Sequence, residues 1–389
     1  MIKILAALAL FLAFALPVAA EPRQPGELTI AAVGDLMLGG RTEPFLKEFG
    51  PDYPFAEVLP FLSQADIVVG NLESPISVRG TAVKNKKFTL RAGPVAVQAL
   101  KQAGIRVVTL ANNHSMDFGP LALQDTLAIL DDNGILYTGA GMDLADARAP
   151  AFVKTRGKTL AFLSYSLTFP LEFYASARRP GTAPGYADFV KADIEKARTA
   201  ADLVIVSIHW GAELMTTAKD YQVELGHSCI DWGADLVLGH HPHVLQELEL
   251  YKGRLIAYSL GNFVFGSESN RTNTSMILLL TFQGNMLVKV EAVPLDVNNY
   301  RVKYRPRVLE GKAAEEVLSG INAVSSRFNT RLDIANSRGT IVLPQTGKPE
   351  IRTAPAGSAT HDAALATGAE LTAPAQGSSP RTSSSTGAP

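Results

Sequence analysis

The sequence predicts an α/β fold in which a mainly parallel β-sheet is covered by helices. Between about residue 28 and residue 345, short apolar runs alternate with helix-like stretches, a pattern typical of parallel sheets. The 389 residues are 47% hydrophobic and 19% charged, which is enough apolar material for a large core. Polar residues follow most of the apolar runs. In such a sheet, ligands bind beyond the carboxyl ends of the strands, so these polar residues lie where a ligand site is expected.

The first twenty residues predict a secretory signal peptide over residues 1–20. Lys3 is followed by an unbroken apolar run over residues 4–16, and small residues precede Glu21, as signal peptidase requires. About thirteen apolar residues are too few to span a roughly 30 Å hydrocarbon core, so cleavage is preferred over an uncleaved membrane anchor, which stays open as the alternative. We therefore expect an exported protein, periplasmic or extracellular, with a linker over residues 21–27.

Charge and cysteine content exclude some classes of function. The chain has 36 basic and 37 acidic residues, and the loss of Lys3 with the signal peptide would make it slightly more acidic. A nucleic-acid-binding protein needs a basic surface to neutralise phosphates, so no nucleic-acid partner is expected. Cys229 is the sole cysteine, so no disulfide can form within the chain, and stability must come from the hydrophobic core.

The composition changes after Arg352. The remaining residues are mostly Ala, Ser, Thr, Gly and Pro, and such a segment cannot bury enough apolar surface to offset the entropy cost of ordering. The sequence therefore predicts one domain over residues 28–345 and a disordered tail over residues 346–389.

Truncation of the chain after Arg352 is expected to leave the midpoint of thermal unfolding unchanged, because the removed residues have hardly any large apolar side chains to bury. Calorimetry of the truncated and full-length chains measures this. A midpoint lower by several degrees in the truncated chain would show that the tail packs on the domain.

Seven strands are predicted from the apolar runs. They are Leu28–Val33, Ile67–Val69, Val107–Leu110, Thr159–Ser164, Leu203–Ile208, Leu236–Leu238 and Leu255–Tyr258. Two of the helices between them begin at a proline and end at a glycine, at residues 94–104 and 120–134. A β-hairpin is predicted over residues 276–293, around a Gln-Gly-Asn turn, and a last helix over residues 313–328.

Potential metal ligands follow six of these strands. In chain order they are Asp35, Glu73, Asn112, Asn113, His114, His209, His240, His241, His243 and Asn262. Because the carboxyl ends of parallel strands meet in one crevice, we expect these side chains to lie close together. Each residue alone would be interpreted as a cap, a turn former or a core histidine, but the ordered set predicts a metal site. Histidine, carboxylate and amide ligands suit a borderline divalent ion such as zinc, manganese or iron.

The ordered motifs resemble those of the calcineurin-like metallophosphoesterases and, within them, the CapA family of poly-γ-glutamate capsule proteins. The matching segments are GDLMLGGR, GNLESPIS, KKFTLRAGP, LANNHSMDFG, IHWGAE, GHHPHV and SLGNFVF. The resemblance covers about residues 28–265. It implies a four-layer α/β/β/α sandwich of the metallophosphatase type, with one or two divalent ions (Mn, Fe or Zn) bound at one end of its two sheets.

The resemblance also implies roles for individual residues. The implied metal ligands are Asp35, Glu73, Asn113, His209, His241 and His243. The implied catalytic residues are His114, which would donate a proton to the leaving group, and Glu73, at the bridging position. His240 replaces a usual glycine and is interpreted as a neighbour of the ligands or a substrate contact. Arg41 and Arg91 are candidate contacts for an anionic substrate, although lone arginines are equally often surface groups.

Two departures from the family pattern predict unequal metal positions. Met37 stands where a histidine is usual, and a thioether is a poor ligand for a borderline ion. Glu73 replaces an aspartate and lengthens the bridging arm. By motif, one position would use Glu73, Asn113, His209 and His241, and the weaker one Asp35, Glu73 and His243.

Two hypotheses of function follow. The first is an exported metal-dependent protein of capsule or poly-γ-glutamate biosynthesis that hydrolyses a phosphoester or a γ-glutamyl bond. The alternative is a non-catalytic protein that binds the polymer or assists assembly during capsule export and retains the fold of the metal site. The expected partners are an anionic polymer or a phosphoester substrate, together with membrane-bound machinery for capsule synthesis or export.

Overall fold

The computed structural model describes residues 26–266 and 269–343. The predicted signal peptide (1–20), residues 21–25 of the predicted linker (21–27) and the predicted tail (346–389) lie outside the described residues. Within the described ranges, no helix combines the length and the apolar character needed to cross a membrane.

The described residues form eighteen strands and nine α-helices. The strands are β1 (Glu27–Leu36), β2 (Ile67–Leu72), β3 (Ile105–Thr109), β4 (Leu136–Thr138), β5 (Ala140–Gly141), β6 (Ala151–Thr155), β7 (Lys158–Ser166), β8 (Gly181–Thr182), β9 (Leu203–His209), β10 (Leu236–His240), β11 (Leu248–Tyr251), β12 (Arg254–Ala257), β13 (Asn262–Val264), β14 (Thr274–Gln283), β15 (Met286–Asp296), β16 (Arg307–Val308), β17 (Asp333–Ala335) and β18 (Arg338–Val342). The helices are α1 (Glu43–Phe49), α2 (Leu59–Leu62), α3 (Val95–Gln102), α4 (Gly119–Asp132), α5 (Leu144–Ala147), α6 (Ala187–Arg198), α7 (Asp220–Asp231), α8 (Asn299–Val302) and α9 (Gly311–Ser325).

The strands assemble into two large sheets. The first has the order β17-β18-β15-β14-β1-β2-β3-β4, with β13 beside β1 and β16 beside β15. The second has the order β11-β12-β10-β9-β7-β6, and β5 pairs with β8 separately. Strands β1 to β4 are parallel, as are β7, β9, β10 and β12. The seven predicted strands are thus present, but they divide between two sheets. Antiparallel strands lie at one edge of the first sheet and at both edges of the second.

The alternation of side chains along β1 places the sheets in the middle of the fold. Leu28, Ile30 and Ala32 belong to the cluster between the two sheets, together with Phe162 and Leu238 of the second sheet. The intervening residues of β1 face the other way, toward a cluster that includes residues of α3 and α4. Full burial of one such aliphatic side chain contributes about 1.5–3 kcal/mol.

A third cluster covers the outer face of the second sheet. Val190 and Ile194 of α6 and Cys229 of α7 pack with Val204 and Val206 of β9. The order of layers is therefore helices, first sheet, second sheet, helices. This architecture confirms the predicted four-layer α/β/β/α sandwich.

Candidate metal centre

The register of the strands brings the predicted ligands to one end of both sheets. In the first sheet, Asp35 of β1 pairs with Asn71 of β2 and with Asn262 of β13. In the second sheet, His209 of β9 pairs with His240 of β10. Because the two sheets pack face to face, these two rows of polar side chains meet.

Backbone conformation makes this arrangement possible. A Cβ atom on Gly34 would lie 2.0 Å from the carbonyl oxygen of Gly261, so a glycine is required for β13 to approach β1. His241 and His243 have φ values of 97° and 58°, which non-glycine residues adopt at a cost of order 1–3 kcal/mol. Such strain persists where the surroundings fix the chain, and it is concentrated at functional sites.

Two buried carboxylates lie at the centre of the cluster. Asp35 and Glu73 are both 0% exposed. Asp35 Oδ1 accepts a hydrogen bond from Asn71 Nδ2 at 2.9 Å and lies 3.0 Å from His240 Nδ1. Among the described residues, Asp35 Oδ2 and Glu73 Oε1 accept no hydrogen bond, although His243 Nδ1 lies 3.3 Å from the former. A buried carboxylate oxygen without a hydrogen bond is costly, so these oxygens indicate a cation site.

Imidazole nitrogens surround the free oxygen of Glu73. His209 Nε2 and His243 Nε2 each lie 3.7 Å from Glu73 Oε1. Asn113 Oδ1 lies 2.9 Å from His209 Nε2. His241 Nδ1 has no hydrogen-bond partner among the described residues, and its ring centroid is 4.8 Å from that of His209. The structure thus brings all six of the implied metal ligands together.

These side chains form two groups of potential ligands that share Glu73. Within each group the ligand atoms lie within 4.8 Å of one another, and the groups are Asp35–Glu73–His209 and Glu73–His241–His243. Carboxylate oxygens and imidazole nitrogens gathered in this way fit a borderline divalent ion. We call these groups the aspartate triad and the histidine triad.

The grouping inferred from the motifs joins the same side chains differently, with His209 beside His241 and His243 beside Asp35. Both of these contacts are also present, since the ring centroids of His209 and His241 are 4.8 Å apart and His243 Nδ1 lies 3.3 Å from Asp35 Oδ2. Met37 belongs to neither triad: a Cβ on Gly266 would lie 2.3 Å from the methyl group of Met37, so this side chain packs against that glycine. That the two metal positions bind unequally remains a prediction.

Burial and charge shift the pKa values of these groups in different directions. Burial and the nearby charge of Asp35 raise the pKa of Glu73 well above its usual range. Burial would also raise the pKa of Asp35, but the close contacts and positive charges of His240 and His243 outweigh it and hold that pKa well below its usual range. Burial, with the charge of His243, lowers the pKa of His241 to about 3. Burial opposes the positive charge of His243 too, but Glu73 and Asp35 outweigh it and raise that pKa to about 10.

Metal uptake by the metal-free protein is expected to release at least one proton at pH 8. The imidazole of His243 is protonated below its pKa of about 10, the pKa of Glu73 is raised well above its usual range, and both groups must lose their protons to bind a metal. Calorimetric titration with Zn²⁺ or Mn²⁺ in buffers of different ionisation enthalpy counts the protons. His241, with a pKa of about 3, is already neutral and releases none. A binding enthalpy that does not vary with the buffer would contradict the expectation.

His114 lies beside the triads and is held by a carboxylate. Its Nδ1 is 2.6 Å from Asp117 Oδ2, and its Nε2 is 3.9 Å from Glu73 Oε1. Asp117 therefore accepts a hydrogen bond from the Nδ1–H group of His114, which leaves Nε2 facing the triads. Burial lowers the pKa of His114, and the hydrogen bond and charge of Asp117 act against this.

Three residues of the site were given no role from the sequence, and the first is Asn71. Its Nδ2 lies 2.9 Å from Asp35 Oδ1 and 3.4 Å from Glu73 Oε2. Its Oδ1 accepts a hydrogen bond from Asn112 Nδ2 at 3.0 Å, which fixes the orientation of the amide. Asn71 thus cross-links the two carboxylates.

The other two are Asp117 and Lys86. Lys86 Nζ forms a short contact with Asp117 Oδ1 and lies 3.1 Å from His114 Nδ1. All three residues lie in segments that carry the family resemblance, GNLESPIS, LANNHSMDFG and KKFTLRAGP. The segments were found in the sequence, whereas the roles depend on contacts between them.

The structure does not bring the two arginine candidates into the cluster. Arg91 lies over the ring of Phe118, 4.1 Å from its centroid, and donates a hydrogen bond to the carbonyl of Arg79. Arg41 is exposed, with its charge near Tyr304. His240, the third candidate for substrate contact, is 2% exposed and contacts Asp35. His240 therefore lies beside an implied ligand, and its contact with a substrate stays a prediction.

The fold and the candidate site define the class of this protein, a four-layer α/β sandwich with buried carboxylates and imidazoles at the ends of its strands. Residues 29–267 match the family model described as "Bacterial capsule synthesis protein PGA_cap". The chain belongs to this family, which confirms the resemblance found in the motifs.

Individual relatives agree with the family assignment. The chain is 34% identical over 282 residues to the capsule biosynthesis protein CapA of Bacillus anthracis, which covers 71% of this chain and 69% of that protein. It is 34% identical over 273 residues to the PGA biosynthesis protein CapA of Bacillus subtilis (strain 168), covering 70% and 72%. Among solved structures, the NAD nucleotidase NadN of Haemophilus influenzae aligns at 10% identity with a TM-score of 0.43, covering 76% and 62%; so distant a likeness carries no functional argument.

Proposed function

We propose that this protein is an exported, metal-dependent hydrolase of capsule biosynthesis that cleaves a γ-glutamyl or phosphoester bond. The names of its relatives support capsule or poly-γ-glutamate formation as the context. The observation that carries the proposal is the position of His114 next to the triads, with Nδ1 held by Asp117 and Nε2 facing Glu73. A protein that only binds a polymer has no need of a proton-transfer group at this place.

The residues of the triads would hold the metal ion. When bound, a divalent ion polarises the scissile group and lowers the pKa of water. Asp35, Glu73, His209, His241 and His243 supply its ligands, and Asn71 keeps the two carboxylates at a fixed separation through hydrogen bonds. Such outer contacts orient ligands and raise metal affinity.

His114 would transfer the proton. Asp117 keeps the imidazole in one orientation and stabilises its protonated form, as a carboxylate does for a catalytic histidine. Because burial lowers the pKa of His114, its imidazolium is a stronger acid than that of an exposed histidine. Nε2 can then donate its proton to the departing atom of the substrate.

The proposal also includes the export of this protein and its location beside the machinery of capsule synthesis. The positively charged start and the apolar run of residues 4–16 support secretion to the periplasm or the cell exterior. Cleavage or trimming of a polymer there would take place beside membrane-bound machinery for capsule synthesis or export.

The test combines turnover with removal of the metal. Size-exclusion chromatography follows cleavage of poly-γ-glutamate by the mature chain, and release of nitrophenol follows cleavage of an aryl phosphate. We expect a chelator to abolish turnover of one substrate and Mn²⁺, Fe²⁺ or Zn²⁺ to restore it. Polymer retained by the metal-loaded protein without cleavage of either substrate would instead support the non-catalytic alternative.

A further inference from the structure

A segment of concentrated positive charge lies next to His114. This segment, residues 78–91, is called the basic loop. It contains five basic residues and no acidic residue, and the basic residues are Arg79, Lys84, Lys86, Lys87 and Arg91. The whole chain has a formal net charge of −1, so this charge is a local feature. Local fields of one sign attract ligands of the opposite sign.

Two lysines of the basic loop are available to a ligand. Lys84 and Lys87 are exposed, and neither forms an ion pair with an acidic group in the described part of the chain. Lys87 Nζ lies 5.1 Å from the centroid of the exposed Phe88 ring, a contact that leaves its charge open to solvent. The remaining cations are engaged: Arg79 binds Asp125 at 3.0 Å, Arg91 lies over an aromatic ring, and Lys86 is paired with a buried carboxylate. The two lysines without an ion pair among the described residues, Lys84 and Lys87, therefore lie on either side of Lys86 along the chain.

Asp117 fixes the basic loop to the site. Its Oδ2 accepts a hydrogen bond from Leu90 N at 2.6 Å, and its backbone oxygen accepts one from Val83 N at 2.9 Å. Lys86 Nζ contacts Asp117 and also donates to the backbone carbonyl of Asn113. Because Asp117 also holds His114, a ligand lying along this loop is guided to the proton-transfer group.

Apolar side chains lie beside these cations. Val78 and Phe88 of the basic loop are 73% and 61% exposed. Lys86 Nζ lies 5.1 Å above the ring of Phe173, and Phe169, four residues earlier, is also exposed. Exposed apolar groups beside cations indicate a surface for a ligand that has both characters. A chain of methylene groups that carries carboxylates has this chemistry.

We propose that the basic loop is the docking surface for a polycarboxylate with an aliphatic backbone, which passes Lys84 and Lys87 on its way to His114. The identity of the polymer rests on the proposed function, but the docking itself requires no hydrolysis. Poly-γ-glutamate, with two methylene groups and one carboxylate per residue, is the probe that fits this description.

The test compares two double variants of the mature chain. Anisotropy of labelled poly-γ-glutamate at low salt measures Kd for the unaltered protein, for Lys84→Gln/Lys87→Gln, and for the control Lys154→Gln/Lys191→Gln. The control removes the same charge from exposed lysines on β6 and α6. Since an exposed ion pair changes affinity by up to about fivefold, the loop variant should bind roughly 5- to 25-fold more weakly, and the control less than twofold.

Two further binding measurements, one with added salt and one with a second polymer, make the test more specific. Added salt should weaken binding by the unaltered protein more than by the loop variant, because fewer charge pairs remain to be screened. Equal losses in the loop variant and the control would overturn the proposal. Inorganic polyphosphate that binds as tightly, with the same dependence on Lys84 and Lys87, would overturn the assignment to a polycarboxylate.

Binding can be separated from the proposed hydrolysis. His241→Ala removes a residue of the histidine triad and should abolish turnover, yet it should bind the polymer with unchanged Kd. Lysine-dependent binding by a protein that cleaves neither substrate would leave the docking surface standing while the hydrolase proposal fails. Loss of polymer binding in His241→Ala, in a variant that unfolds at the normal temperature, would place the docking surface elsewhere.

Discussion

Replacement of His114 by alanine is expected to lower turnover about 10²–10⁴-fold, the usual contribution of general acid–base catalysis, while the metal stays bound. His114 Nε2 lies 3.9 Å from Glu73 Oε1, and His114 belongs to neither triad. Its removal therefore takes away proton transfer and leaves the ligands. The measurements are kcat/KM for the substrate identified above and the metal content of the same preparation by atomic emission.

The matched control for this variant is His227→Ala. His227 is a half-buried histidine that contacts Glu249 and stacks on Tyr251, away from the triads. Its replacement should leave turnover close to that of the unaltered protein. The assignment is wrong if His114→Ala loses its metal, since His114 would then be a ligand, or if the fall in turnover is less than tenfold.

Replacement of Glu73 by glutamine is expected to remove metal from both positions. Glu73 is the residue shared by the aspartate triad and the histidine triad, and its Oε1 lies 3.7 Å from both His209 Nε2 and His243 Nε2. Loss of an outer hydrogen-bond partner of a ligand typically weakens metal binding about 10–100-fold. Loss of a shared ligand charge should weaken it more, so that dialysed Glu73→Gln contains almost no metal.

Two further variants test whether the loss of metal is specific to Glu73. Glu249→Gln changes another buried carboxylate, which contacts His227 and Tyr258 outside the triads, and should retain the normal metal content. His241→Ala should affect the histidine triad and spare the aspartate triad, so it should retain more metal than Glu73→Gln. A normal metal content in Glu73→Gln would mean that the two triads are not the metal-binding groups.

The location of the site at the strand ends was predictable because it follows from local pattern. Short apolar runs predict the strands, and polar residues directly after them predict what lies at the ends of those strands. Asp35 and His209 were found in this way, since each lies at or next to the end of a buried strand. The division of the β1 side chains between the clusters on its two faces also follows directly from the alternation of side chains along a strand.

Other features of the fold could not be predicted from local patterns in the sequence. The strand β13, three residues long, is too short for any periodicity, yet it pairs with β1 and places Asn262 beside Asp35. The close approach depends on Gly34, where a side chain would collide with the carbonyl of Gly261. The role of such a glycine is visible only when the opposing backbone is in place.

By itself, then, the sequence determined the α/β class, the family and the set of side chains that gather at one end of the sheets. Only the tertiary structure decided which of those side chains act together. His240 supports Asp35 from 205 positions away in the chain, and His241 and His243 point as they do because their loop holds them at positive φ. Asn71, Asp117 and Lys86 acquire their roles through contacts between separate loops. Hydrogen bonds and charge interactions act over a few ångströms in space, and spacing along the chain does not fix those distances.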